Sequence, residues 1–284
     1  MLESPNGPLR RWFDLTFPNT RPVLAEGRWT AALAAPPCSD RQWRGLVGTA
    51  VDYRLRWSWA PVPLVGLAAR HAMWVLERSA EPWATFHDEL VSRYAPTAGL
   101  LCAADEELLA RVALVLAHLE TTYRCGMPPD PGRTGVFSGQ TPQRMLDAQL
   151  TENVADVVAI TAAAKPIVAS WADHIAVLNP TFARSDLVGG ADADLIVDGC
   201  LVELKTTAEV GLTSAIVRQL IGYVLLDEHD TYNIERVSIL FARRPQALSW
   251  NADELMERCG AKRPLNRERL RHDMESALQR AARS

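Results

Sequence analysis

Two short apolar runs, residues 193–197 and 200–204, flank the dipeptide Asp198-Gly199 and give the chain its sharpest local pattern. Both runs are aliphatic or β-branched, and Asp-Gly between such runs is the turn signal of a two-residue β-hairpin. A third aliphatic run, residues 236–241, reads as a further strand, and residues 214–226, between it and the hairpin, carry the 3.6-residue spacing of a helix. Upstream, Ser39-Asp40 can cap a helix whose buried face is Trp43, Leu46, Val47, Ala50, Val51 and Leu55, with Pro61 and Pro63 beyond its end near Trp59. Residues 65–76, 82–94 and 105–123 predict a helical region, and the Gly- and Pro-rich residues 126–132 predict a linker. A helix from 141 through 160 and a charged terminal helix over 266–281 complete the pattern. Residues 1–40, rich in Pro, read as an irregular arm with short strands around 15–17 and 28–32. The expected class is α/β.

Composition narrows the function more than the fold. A chain of 284 residues that is 48% apolar can bury a sizeable core. A net charge of −4 argues against coating nucleic acid by bulk charge, yet arginines gather at Arg41, Arg44, Arg54 and Arg56 and again at Arg263, Arg267, Arg269 and Arg271. Such runs are ordinarily solvated faces, and they leave room for a local basic groove. No apolar run is long enough for a membrane span and the start lacks a basic-then-apolar leader, so the expectation is a cytoplasmic protein with no membrane partner. The cysteines at 38, 102, 125, 200 and 259 show no CxxC pair or zinc-ligand spacing, so neither structural zinc nor an iron–sulfur cluster is expected. The six histidines are scattered, the nine tryptophans read first as core, and no glycine-rich phosphate loop points to an ATP-driven motor.

The chemistry lies on the hairpin. A two-residue turn at Asp198-Gly199 sets Asp194 opposite Glu203 and Asp192 opposite Lys205, and strand alternation puts all four on one face. Val202, Leu204, Leu195 and Val197 then point to the other. Two carboxylates about 5 Å apart repel unless a cation lies between them, and Mg²⁺ or Mn²⁺ suits oxygen ligands. Such an ion engages phosphates and acidifies water, and the ammonium of Lys205 can stabilise charge that grows on a phosphoryl group. An ExK triplet alone is a weak signal, equally at home on the solvated face of an amphipathic hairpin.

Three pieces together resemble the PD-(D/E)xK nuclease superfamily, in particular its RecB-like branch. Residues 190–207 look like that family's metal-binding Asp, hairpin, and ExK strand followed by Thr, with Asp194 as the matching aspartate and Asp192 its substitute in a slipped register. Gln219 and Tyr223 match the QxxxY signature on the following helix, four residues apart and therefore on one helical face. Gly48 and Asp52 resemble the upstream helix that carries Gly and a metal-binding His, with Asp52 in the place of the His; Glu152 is the other candidate for the upstream acid.

The resemblance implies a restriction-endonuclease-like core, a mixed central sheet flanked by helices, formed by residues 41–60 and 141–250. It makes 61–140 a largely helical insertion, between the irregular N-terminal arm over 1–40 and the C-terminal charged helix over 251–284 that the pattern itself suggests. It also implies hydrolysis of single- or double-stranded DNA with Mg²⁺ or Mn²⁺. Asp194, Glu203, the Leu204 carbonyl and Asp52 would hold the metal, Lys205 would serve catalysis, and Gln219, Tyr223 and Asp192 would support substrate. Defence against phage and DNA repair both suit such an activity. A protein partner or self-association stays open. The alternative is a catalytically inactive module of the same fold that binds nucleic acid or serves assembly.

Overall fold

The computed structural model describes residues 7–27, 32–59, 80–94, 101–124, 141–209 and 211–282. The expected strand at 28–32 and helix at 65–76 therefore lie largely or wholly outside the described residues, as does the linker at 126–132. The chain is a mixed α/β protein. Five strands, β1 (Ala176–Leu178), β2 (Leu195–Val197), β3 (Cys200–Lys205), β4 (Arg236–Phe241) and β5 (Gln246–Asn251), form one sheet in the order β1-β2-β3-β4-β5. Only β3 and β4 run parallel; every other neighbouring pair is antiparallel.

The hairpin register is the expected one, with Leu195 opposite Val202 and Val197 opposite Cys200. The turn requires positive φ at both central residues, and Asp198 (φ 44°) and Gly199 (φ 69°) supply it. A Cβ at Gly199 would also lie 2.9 Å from the carbonyl oxygen of Asn233, so the position excludes larger residues twice over.

The sheet separates two helical layers. Alternation sends Leu195, Val197, Val202, Leu204 and Leu240 into a core shared with α3 (Arg44–Arg56), α5 (Ala103–Arg124) and α7 (Thr151–Ala169). Ile196, Leu201, Val237, Ile239 and Phe241 face the opposite core, built with α1 (Pro8–Thr16), α2 (Arg21–Glu26), α8 (Ser214–Leu226), α9 (Ala252–Arg258) and α10 (Arg267–Ala282). Thr213 caps α8, its hydroxyl accepting from the Ile216 N–H at 3.3 Å, which fixes where the crossover between β3 and β4 begins. Two further helices, α4 (Ala80–Tyr94) and α6 (Pro142–Asp147), pack against each other on the side of α5.

Several local expectations change. Residues 15–17, expected as a strand, end α1: Pro8 takes the first helical position, where its missing N–H costs nothing, and Trp12, Phe13 and Phe17 bury themselves against the sheet's second core. The arm over 1–40 is thus not irregular where it is described, since α1 and α2 lie within it. The single helix expected over 141–160 is two, broken at residues 148–150, and the second continues to Ala169 across the internal Pro166.

A buried ion pair stitches the layers together at the end of β3. Arg243, just beyond β4, donates to both oxygens of Asp156 on α7 at 2.7 and 2.8 Å, and both residues are no more than 1% exposed. Two further N–H groups donate to the carbonyls of Thr206 (2.6 Å) and Ala35 (3.1 Å), while Ser39 donates to Asp156 at 2.5 Å. The main chain directly after Lys205 is held by this network. A second bidentate pair, Arg54 with Glu106, ties α3 to α5.

Candidate active site

The C-terminal end of β3 opens into a cleft of about 1240 Å³ between α3, α8 and the hairpin. That exceeds the roughly 300–1,000 Å³ usual for small-molecule pockets. It is lined by Asp192, Asp194, Glu203, Leu204 and Lys205 from the hairpin, Gln219 and Tyr223 from α8, and Asp52 and Arg56 from α3. Every residue expected at the site except Glu152 therefore meets in one place. Glu152 stands exposed in the first turn of α7 and does not line the cleft.

Asp194 immediately precedes β2, and its Oδ2 accepts the Leu204 N–H at 2.6 Å. A side chain thus takes a place on β3 that a main-chain carbonyl would otherwise fill, and the ladder stops at Leu195–Val202. Asp192 accordingly does not pair with Lys205 in the ladder; it forms an isolated antiparallel bridge with Thr181 and still faces the cleft. Lys205 donates from Nζ to Glu203 Oε1 at 2.6 Å and to Gln219 Oε1 at 3.2 Å, and Gln219 donates from Nε2 to the Tyr223 hydroxyl at 2.8 Å. The two QxxxY residues thereby form a relay that holds the lysine. Phe182 stacks on Tyr223 with ring centroids 5.4 Å apart and fixes the far end of that relay.

The carboxylates are under electrostatic load. Burial, then the charge of Asp194, pushes Glu203 up to about 8, against the partial relief supplied by Lys205. Burial likewise raises Asp194 despite the Leu204 N–H, Arg56 and Lys205. Tyr223 is raised as well, by burial and by the charge of Glu203, so its hydroxyl stays protonated and serves as a donor or a neutral acceptor. Glu203 Oε2 is buried without a hydrogen-bond partner. An unsatisfied carboxylate oxygen facing a second raised carboxylate is an arrangement into which a hard divalent cation fits, since it would hold both acids ionised and satisfy the orphaned oxygen.

Asp52 does line the cleft, but it is engaged. Arg56, one turn along α3, grips both its oxygens, with Nε donating to Oδ1 at 2.9 Å, and also donates to Asn179 Oδ1 at 3.0 Å. Among the described residues, no group of three or more His, Cys, Asp or Glu side chains stands ready as a metal cage. Asn179 and Glu120 are cleft residues that the sequence reading passed over, and Arg56, read there only as one of a cluster of arginines, is Asp52's partner at the cleft wall. The Asp52–Arg56 spacing of four is the standard helical ion-pair spacing and was the available signal. Glu120, which accepts from Tyr53 Oη at 2.6 Å, comes from the helical region between the two core segments and left none.

Gly48 lets α3 come this close. A Cβ there would lie 2.9 Å from Thr206 Oγ1, so the helix and the end of the ExK strand touch through this glycine. Among the described residues no helix is long and apolar enough to cross a membrane. Comparison with protein-family models, with curated proteins and with solved structures finds no match for this chain.

Proposed function

We propose that this chain is a metal-dependent nuclease with a restriction-endonuclease-like core of the PD-(D/E)xK type, hydrolysing DNA phosphodiester bonds. The observation that carries the reading is Glu203, a residue lining the cleft, whose Oε1 accepts from Lys205 while its Oε2 is buried and unpartnered, with the charge of Asp194 near enough to raise it. Asp194 and Glu203 would hold Mg²⁺ or Mn²⁺, with the Leu204 carbonyl as a further ligand. When bound, the ion supplies Lewis acidity toward a phosphoryl oxygen and acidifies water.

The side chains of the chain do the rest. Lys205, fixed by Glu203 and Gln219, positions the attacking water and stabilises charge on the phosphoryl oxygens as they become more negative. Gln219 spends its oxygen on Lys205 and its amide on Tyr223, so it orients the lysine rather than binding metal. Asp52, paired with Arg56, holds a cation at the cleft wall and is a weaker claimant to the metal than its position in the helix suggests. Phage defence and DNA repair are both compatible with this activity class.

The test is cleavage of plasmid and single-stranded DNA by purified protein with Mg²⁺, Mn²⁺ or EDTA, comparing wild type with Lys205→Ala. Metal-dependent cutting that falls about 10²–10³-fold in the variant supports the reading, since that is the loss seen when one transition-state donor is removed. Thermal melting with Mn²⁺ should show stabilisation in wild type and none in Asp194→Asn. If both proteins bind DNA and neither cuts with any metal, the chain is a binding module; if Mn²⁺ changes neither melting curve, Asp194 and Glu203 are not a metal site.

A further inference from the structure

The cleft-facing residues of α3 and of the single turn before it, Arg41–Trp43, follow a helical spacing: Arg41, Arg44, Gly45, Gly48, Thr49, Asp52 and Arg56. They differ in what they touch. Arg56 is neutralised by Asp52, and Arg10 across the cleft by Asp14, but Arg41 and Arg44 are exposed and have no acidic partner among the described residues. Most other described arginines of this acidic chain are paired with acids, as with Arg54, Arg184, Arg243, Arg258, Arg267 and Arg271. Two uncompensated guanidiniums facing a cleft whose floor carries carboxylates are placed for a ligand that brings its own negative charge along an extended path.

Between the basic and acidic ends the helix is bare. A Cβ at Gly45 would meet nothing within 4 Å, so no packing in the fold calls for glycine there. Gly48, one turn on, lies against Thr206 beside Lys205. From this level to Arg44 is about 6 Å, and from Asp52 to Arg44 about 12 Å, at 1.5 Å per helical residue. Those lengths span about two to four phosphates at the 3.4 Å axial spacing of a strand.

We propose that the cleft face of α3 is a track for one DNA strand, with Arg44 and Arg41 contacting phosphates about two to four nucleotides from the bond that Lys205 serves, and Gly45 leaving room for the sugar–phosphate backbone. The proposal takes its substrate class from the nuclease reading, but its readout is binding rather than cleavage. The guanidiniums contact phosphate, so they confer affinity and register without sequence preference.

The test is fluorescence-anisotropy titration of labelled oligo-dT of 4 and 12 nucleotides, in Ca²⁺, across a salt series, with wild type, Arg41→Ala/Arg44→Ala, Gly45→Ala and Arg280→Ala. Arg280 is exposed on α10, does not line the cleft, and controls for net charge. The double variant should bind the 12-mer at least tenfold more weakly, with a log–log salt slope shallower by about 1.4, or 0.7 per lost contact. The 4-mer, too short to occupy the whole track, should show a smaller loss. Gly45→Ala should melt at or above the wild-type temperature and yet bind the 12-mer several-fold more weakly, a combination that a purely structural glycine would not produce. The double variant binding like Arg280→Ala, with an unchanged slope, overturns the track, as does a wild type that binds no oligonucleotide. Loss of binding in the double variant together with absent metal-dependent cleavage in wild type would keep the track and discard the nuclease.

Discussion

Replacing Glu203 with glutamine should stabilise the metal-free protein, although it removes a residue essential to the proposed chemistry. Glu203 is 4% exposed and held near 8 by burial and by Asp194, whereas it ionises near 4.5 in the unfolded chain. Below about pH 4.5 both states carry the proton and the group is neutral in its effect. As pH rises from there toward 8, the unfolded chain releases the proton and the fold does not, so stability is lost across that window. Each pH unit is worth about 1.4 kcal/mol, which makes the penalty about 3 kcal/mol at pH 7. Glutamine keeps the shape and an oxygen for Lys205 while removing the titration. In EDTA, Glu203→Gln should therefore melt about 6–12 °C above wild type at pH 7 and within about 3 °C of it near pH 5, at about 2–4 °C per kcal/mol for a chain of this size. With saturating Mn²⁺ the order should shrink or invert, because only wild type gains about 2.7 kcal/mol at a hundredfold excess over Kd. A variant that melts at or below wild type at pH 7 in EDTA, with a difference that does not change with pH, would refute the electrostatic account of the site.

Two further outcomes follow from other parts of the fold. Asp156→Ala leaves the guanidinium of Arg243 buried without its carboxylate and should cost about 3–5 kcal/mol in urea denaturation, far more than the removal of an exposed pair such as Arg111–Glu107. His118 on α5, packed edge-on against Trp43, is lowered to about 4 by burial. Its neutral form is retained in the fold while the unfolded chain protonates near 6.5, so stability should fall by up to about 3 kcal/mol between pH 6.5 and 4, and His118→Gln should flatten that acid limb when unfolding is followed at pH 7 and 4.5.

The parts of the molecule legible in the sequence are those whose cause is local. Period-two alternation and Asp198-Gly199 specify the hairpin, its register and the shared face of Asp194, Glu203 and Lys205, while i,i+4 spacing places Gln219 and Tyr223 together on α8. What stayed hidden depends on partners far along the chain. β1 is three residues long and β5, Gln246–Asn251, is poor in β-branched residues; each is a strand because of the neighbour it pairs with. Ser39, Asp156 and Arg243 read separately as ordinary polar residues, and only folding brings them into one buried network. The strand expected at 15–17 failed for a local reason: the Pro content of residues 1–40 was read as irregular chain, whereas Pro8 marks the first turn of a helix. Asp52, assigned to metal by resemblance, is paired in the fold with Arg56, an ion-pair partner that the four-residue spacing already offered.

Two of the buried carboxylates among the described residues, Asp156 and Glu203, provide an internal comparison. Burial raises Asp156 just as it raises Glu203, but two hydrogen bonds from Arg243 and one from Ser39 overturn that effect and leave Asp156 below the usual carboxylate range. Its charge is compensated, and it joins α7 to the end of β3. Glu203, on β3, receives a single ammonium that it shares with Gln219, keeps one oxygen unpartnered, and feels the charge of Asp194. The same sequence can evidently satisfy a buried carboxylate with a bidentate guanidinium, and at Glu203 it does not. A purely structural position would be expected to carry such a partner or an apolar side chain, because an incompletely satisfied charge costs stability. On the nuclease reading proposed above, the deficit is capacity held for a cation and a substrate, with the Arg243–Asp156 pair supplying rigidity beside it.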